Sequence, residues 1–89
     1  MEIVYSSRAL NDLDFWKKSG NKQVQKKIYE LIADIIKHPF EGIGKPEPLK
    51  HALTGKWSRR INGEHRLVYE ILPNNDIIIL SILSLKGHY

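Results

Sequence analysis

Between His38 and Leu49 the chain reads Pro39-Phe40-Glu41-Gly42-Ile43-Gly44-Lys45-Pro46-Glu47-Pro48, with three prolines and two glycines in ten residues. Fixed proline dihedrals and missing amide donors rule out regular structure through such a stretch, so it is expected to be an ordered loop. It divides the chain into halves of different periodicity. Ahead of it Val24, Ile28, Leu31, Ile32, Ile35 and Ile36 recur at steps of three and four, which predicts a helix capped by Asn21 and ending near Lys37, because Pro39 pushes His38 out of the helical region. An earlier helix is expected from Ser6 or Ser7 to Gly20, with Ala9, Leu10, Leu13 and Trp16 as its apolar stripe. Residues 2–5 read as a short strand. Beyond the loop, Trp57–Ile61 and Arg66–Leu72 flank Asn62-Gly63 as a hairpin signal. Ile77–Leu85 is apolar at nearly every position and reads as a central strand. The order β, α, α, then three strands predicts an α+β fold, with two N-terminal helices packed on one face of a small, mostly antiparallel twisted sheet.

Eighty-nine residues suit one domain, 1–89. A chain this short buries only about 60% of its unfolded surface, so its apolar residues must be well placed. There is no cysteine, and hence no disulfide; a hydrophobic content of 42% argues against disorder. The longest aliphatic run, Ile77–Leu80, is far short of the roughly 18 residues of a membrane-spanning helix. The opening Met1–Tyr5 has neither a basic leader nor a long apolar stretch, which makes a cytoplasmic location the expectation.

The charge is unevenly placed. Lys45, Lys50, Lys56, Arg59, Arg60 and Arg66 stand against only Glu47 and Glu64 in the window from 45 to 66, which therefore carries the whole formal net charge of +4. Of the arginines, only Arg8 lies outside it. Such clustering fits phosphate recognition, although basic surfaces are also common for solubility alone. The hairpin register decides which arginines share a face. A two-residue turn sets Arg66 with Arg59; a three-residue loop with a left-handed Gly63 sets Arg66 with Arg60.

Two residues could add chemistry to binding. Glu47 is held between two prolines, so the chain aims its carboxylate; from spacing alone a salt bridge to an arginine is a commoner role for it than general base. His88, followed by Tyr89, could donate a proton near neutral pH, and the tyrosine could stack on a base, though a terminal His-Tyr is more often unremarkable. Other readings are weaker. Pro48 prevents a helical metal pair of Glu47 and His51, and Gly42-Ile43-Gly44 does not lead into a helix as a phosphate-cradling loop would. A helix-turn-helix reading leaves three strands without a role.

The run 39–51 together with Leu53, Gly55, Trp57-Ser58-Arg59-Arg60-Ile61, Glu64-His65-Arg66-Leu67-Val68-Tyr69 and the closing His88-Tyr89 resembles the YoeB/Txe type of toxin within the RelE superfamily of bacterial toxin–antitoxin systems. The resemblance covers nearly the whole chain, although the segment between Tyr69 and His88 is longer than expected for that family. It implies a RelE-like fold and a ribosome-dependent mRNA endonuclease that needs no cofactor or metal. By position, Glu47 would be the general base, His88 the general acid, and Arg66 with Arg60 would bind and stabilise the phosphate. Lys50 and Tyr89 match further active-site positions, and Lys45 and Arg59 are expected to assist in holding the substrate. The implied partners are an acidic YefM-type antitoxin, the ribosomal decoding site and mRNA, with no membrane; the 77–85 strand and the 22–37 helix could support a homodimer. Alternatives are a RelE-superfamily gyrase inhibitor and a non-catalytic RNA-binding module.

Overall fold

A computed structural model describes residues 2–82. The first strand, β1 (Ile3–Tyr5), leads into helix α1 (Ser7–Ser19) and helix α2 (Lys22–Lys37). The Ser6 side chain accepts from the Ala9 amide to cap α1, the left-handed Gly20 ends it, and the Asn21 side chain accepts from Val24 to start α2. Asp14 and Lys18 pair at 2.9 Å along α1. The second half supplies β2 (Glu47–Pro48), a short 3-10 turn (His51–Leu53), β3 (Trp57–Arg60), β4 (Arg66–Ile71) and β5 (Ile77–Ser81). Together they form one five-stranded sheet in the order β1-β5-β4-β3-β2, antiparallel except where β1 runs parallel to β5.

The apolar stripes of both helices meet one face of this sheet. Ala9 and Trp16 from α1 and Val24, Ile28, Leu31, Ile32 and Ile35 from α2 pack with Leu67, Tyr69, Ile77 and Ile79. Each fully buried aliphatic side chain contributes about 1.5–3 kcal/mol, so this single layer carries most of the folding energy. Trp57 and Ile71 complete the floor from its edges, while Val68 lies on the other face.

Several expectations change. The loop is regular at one point, because Glu47 and Pro48 pair with Ser58 and Trp57 as an edge strand, where a proline costs no interior ladder bond. Leu10 is 55% and Ile36 39% exposed, so neither belongs to the core. Asp12 is buried in Leu10's stead, beside Ala9 and Trp16: its carboxylate accepts from the Ile82 amide at 2.8 Å, and Trp16 Nε1 donates to the Ile82 carbonyl at 3.0 Å. The interior strand β5 is assigned to Ser81, and 83–85 lie outside the described residues.

Candidate active site

Glu47 stands opposite Ser58, Ser58 opposite Val68, and Arg60 opposite Arg66. Directly paired residues project to the same side of a sheet, as do alternate residues along a strand. Glu47, Ser58, Arg60, Arg66 and Val68 therefore share the face turned away from the helices.

Of the two pairings considered from sequence, the one that sets Arg66 with Arg60 is found, but a different turn produces it. Five residues, Ile61–His65, connect the strands: the Asn62 side chain accepts from the amides of Glu64 and His65, and the Ile61 amide donates to the His65 carbonyl. Gly63 does not adopt a positive φ. The asparagine makes the turn, and the result is the pairing of Arg60 with Arg66.

On this face Arg66 Nη1 lies 3.4 Å from both Glu47 Oε2 and Ser58 Oγ. The Glu47 side chain is 60% exposed and that of Arg66 26%. An ion pair so open to water stabilises a fold by at most about 1 kcal/mol, so stability does not account for it, and both groups can be reached by a ligand. Arg60 is exposed beside them; Lys45 and Lys50, also exposed, flank the ends of β2. Among the described residues, this end of the face sets the Glu47 carboxylate, an acceptor, within a field of cations able to bind an anion. His88 and Tyr89 lie outside the described residues.

Arg59 departs from expectation. Alternation along β3 sends it to the helix side, opposite Leu67, where it is fully buried, so it cannot stand with Arg60 and Arg66 as a phosphate contact. Its Nη1 donates to Asp34 Oδ2 at 2.5 Å and to the Ile43 carbonyl at 3.2 Å. Nη2 donates to the carbonyls of His38 and Glu41, and Nε donates to the Tyr69 hydroxyl at 3.2 Å. The Tyr69 hydroxyl in turn donates to the Pro39 carbonyl at 2.7 Å. The hydrogen bond from Arg59 holds the Asp34 carboxyl below its ordinary pKa despite partial burial, and the Ile43 amide adds to the lowering. Burial pushes the Tyr69 hydroxyl up, with Arg59 opposing. Gly42 and Gly44, both at positive φ, let the loop lie close: a Cβ would sit 2.0 Å from Asp34 Oδ2 at the first and 2.6 Å from Leu31 Cδ2 at the second.

A sequence profile described as "YoeB-like toxin of bacterial type II toxin-antitoxin system" matches residues 5–89. The chain is also 46% identical over 89 residues to Toxin YoeB of Escherichia coli K12, covering all of both proteins. It belongs to the YoeB family of type II toxin–antitoxin toxins. Solved structures agree. A YoeB/ParE toxin from Agrobacterium tumefaciens superimposes with a TM-score of 0.90 at 36% identity over the whole of both chains. Two Staphylococcus aureus structures, a YoeB-YefM complex and a YoeB dimer, each give 0.85, at 46% and 44% identity, and cover all of this chain and 98% of theirs.

Within this YoeB-family fold, sequence reasoning overlooks Ser58, Asp34 and Asp12. Asp12 is legible in retrospect as a lone acid inside the stripe of Ala9, Leu13 and Trp16. Asp34 is likewise an acid within the apolar run of α2, three residues after Leu31 and one before Ile35. Ser58, fully buried between Glu47 and Val68, leaves no comparable sign.

Proposed function

We propose that this toxin is an endoribonuclease that cuts mRNA in the decoding site of the ribosome and so stops translation. The observation that carries the reading is the exposed Glu47 carboxylate beside the Arg66 guanidinium, with Arg60 opposite Arg66 on the same face. In the proposed reaction Glu47 takes the proton of a ribose 2′-hydroxyl. The 2′-oxygen then forms its bond to phosphorus while the bond from phosphorus to the 5′-oxygen breaks. Arg66 and Arg60 stabilise the charge that grows on the phosphoryl oxygens, and His88 supplies the proton to the departing 5′-oxygen. The product is a 2′,3′-cyclic phosphate, and side chains alone carry every step. DNA, which lacks the nucleophile, is not a substrate. Lys45, Lys50 and Tyr89 hold the message. Arg59, being buried, is left out of the substrate contacts.

A basic toxin surface is complementary to an acidic antitoxin, and the YoeB-YefM complex supports a YefM-type partner for this chain; the YoeB dimer supports self-association. No helix among the described residues is long and apolar enough to cross a membrane, and the reading places the toxin in the cytoplasm with its ribosomal target.

The test is primer-extension mapping of message in a cell-free translation reaction with ribosomes present, comparing wild type with Glu47→Ala and His88→Ala. Cuts made by wild type and lost in both variants are expected. A protein that blocks synthesis without cutting, in wild type and variants alike, is a binder, and one that inhibits only gyrase supercoiling belongs to the other branch of the superfamily; either result removes the proposal.

A further inference from the structure

We infer that Arg59, Asp34 and Tyr69 form a positioning latch that fixes the Glu47 carboxylate from behind the sheet, an inference that rests on the cleavage reading above. A guanidinium carries five N–H donors, and here each has a partner: Tyr69 Oη, Asp34 Oδ2 and the carbonyls of Ile43, His38 and Glu41. With the Pro39 carbonyl held by Tyr69, loop residues 38, 39, 41 and 43 all turn their carbonyls toward one buried centre. The loop wraps the cation much as a peptide loop wraps a metal ion.

Burying that charge is costly. Apolar residues of similar volume would pack the core at least as well, so packing alone does not account for an arginine at this position. What the arginine does, and an aliphatic side chain cannot, is set the path of the chain that leads to Glu47. The loop leaves the latch at Gly44, whose carbonyl accepts from the Arg60 amide at 2.6 Å. Only Lys45 and Pro46 follow before Glu47, and the proline ring fixes one of the few remaining dihedrals. Glu47 then pairs with Ser58, the residue preceding Arg59. The strand that carries the latch on one face thus carries Ser58 and Arg60 of the reactive face on the other. A loosened latch displaces Glu47 relative to Arg66, and such misplacement lowers the rate of the chemical step more than the affinity for substrate.

The test measures kcat and KM for message cleavage on programmed ribosomes, at a temperature where each protein is folded by circular dichroism. Lysine keeps the charge but cannot reach the same partners, so Arg59→Lys should lower kcat about tenfold or more with KM within about twofold. Tyr69→Phe, which removes one hydroxyl and keeps the ring, should lower kcat about threefold; it carries the test alone if Arg59→Lys does not fold. Ile28→Val, a core change remote from the loop, is the control for stability and should leave kcat unchanged. Wild-type kcat in the latch variants, or an equal fall in Ile28→Val, overturns the inference. A wild type that cuts nothing overturns the cleavage reading instead. The latch is then judged on the Glu47 carboxyl 13C resonance: movement in Tyr69→Phe but not in Ile28→Val upholds it, and no movement overturns it.

Discussion

Substituting alanine at two glycines separates close approach from mere turn composition. At Gly44, φ is +79°, and an added Cβ would sit 2.6 Å from Leu31 Cδ2 and 3.2 Å from both Arg59 Cβ and the Arg60 carbonyl oxygen. The left-handed backbone costs an alanine roughly 1–2 kcal/mol. Overpacking adds about 1–3 kcal/mol, toward the upper part of the range because two of the three neighbours are a backbone oxygen and a Cβ that cannot rotate away. Gly44→Ala should therefore destabilise by about 3–5 kcal/mol, a large part of the roughly 4–13 kcal/mol expected for a chain of this length. Gly63 has no positive φ and nothing within 4 Å of its added Cβ. Gly63→Ala should be neutral or stabilise by up to about 1 kcal/mol, because alanine has less unfolded-state entropy to lose. Urea unfolding followed by circular dichroism reads both, with a lower midpoint for Gly44→Ala and an unchanged slope. Equal losses at the two glycines would refute the reasoning, since the close approach at Gly44 would then contribute nothing.

Three further outcomes follow from particular contacts. Asp12→Ala leaves the Ile82 amide buried without its acceptor and should cost about 2 kcal/mol, whereas Asp12→Asn retains an acceptor oxygen and should cost less than half as much in the same urea assay. The Asp34 carboxyl has its folded pKa lowered by Arg59, so its contribution to stability is complete above the unfolded value, near 4, and is lost as pH falls through the folded one. Urea midpoints measured from pH 5 downward should accordingly drop more steeply for wild type than for Asp34→Asn; parallel curves would sink this account. Leu10→Ser should stay within about 0.5 kcal/mol of wild type, because the leucine is 55% exposed; a thermal melt displaced by more than a few degrees would contradict its placement.

Local signals carried much of the fold. Ser6, Gly20, Asn21 and Pro39 mark the helix ends because capping and proline geometry act within a few residues, and α2 is visible as a periodicity. The edge strand β2 was hidden because it pairs with Ser58 and Trp57 across the intervening turn, and nothing in Glu47-Pro48 itself favours pairing. The direction of Arg59 was hidden for another reason. Alternation along β3 sets Arg59 and Arg60 on opposite sides whatever the turn, but which side meets the helices depends on tertiary packing. Glu47 and Arg66 were recognisable as chemistry, yet their approach to 3.4 Å depends on three strands lying in register.

The pairing of β1 with β5 has a consequence for how the molecule comes into being. Glu2 and Ser6 bond to Asp76 and Leu80 across 74 residues of sequence, and β5 also supplies Ile77 and Ile79 beneath the helices. The two helices can form early, but their apolar faces lack much of their floor until β5 is available. Closure over so long a separation is entropically slow. During synthesis, therefore, the N-terminal half waits as an unfinished layer, and the sheet closes only after β5 has emerged. A protein so built completes its fold as a late event, because its first strand and its helices wait for β5.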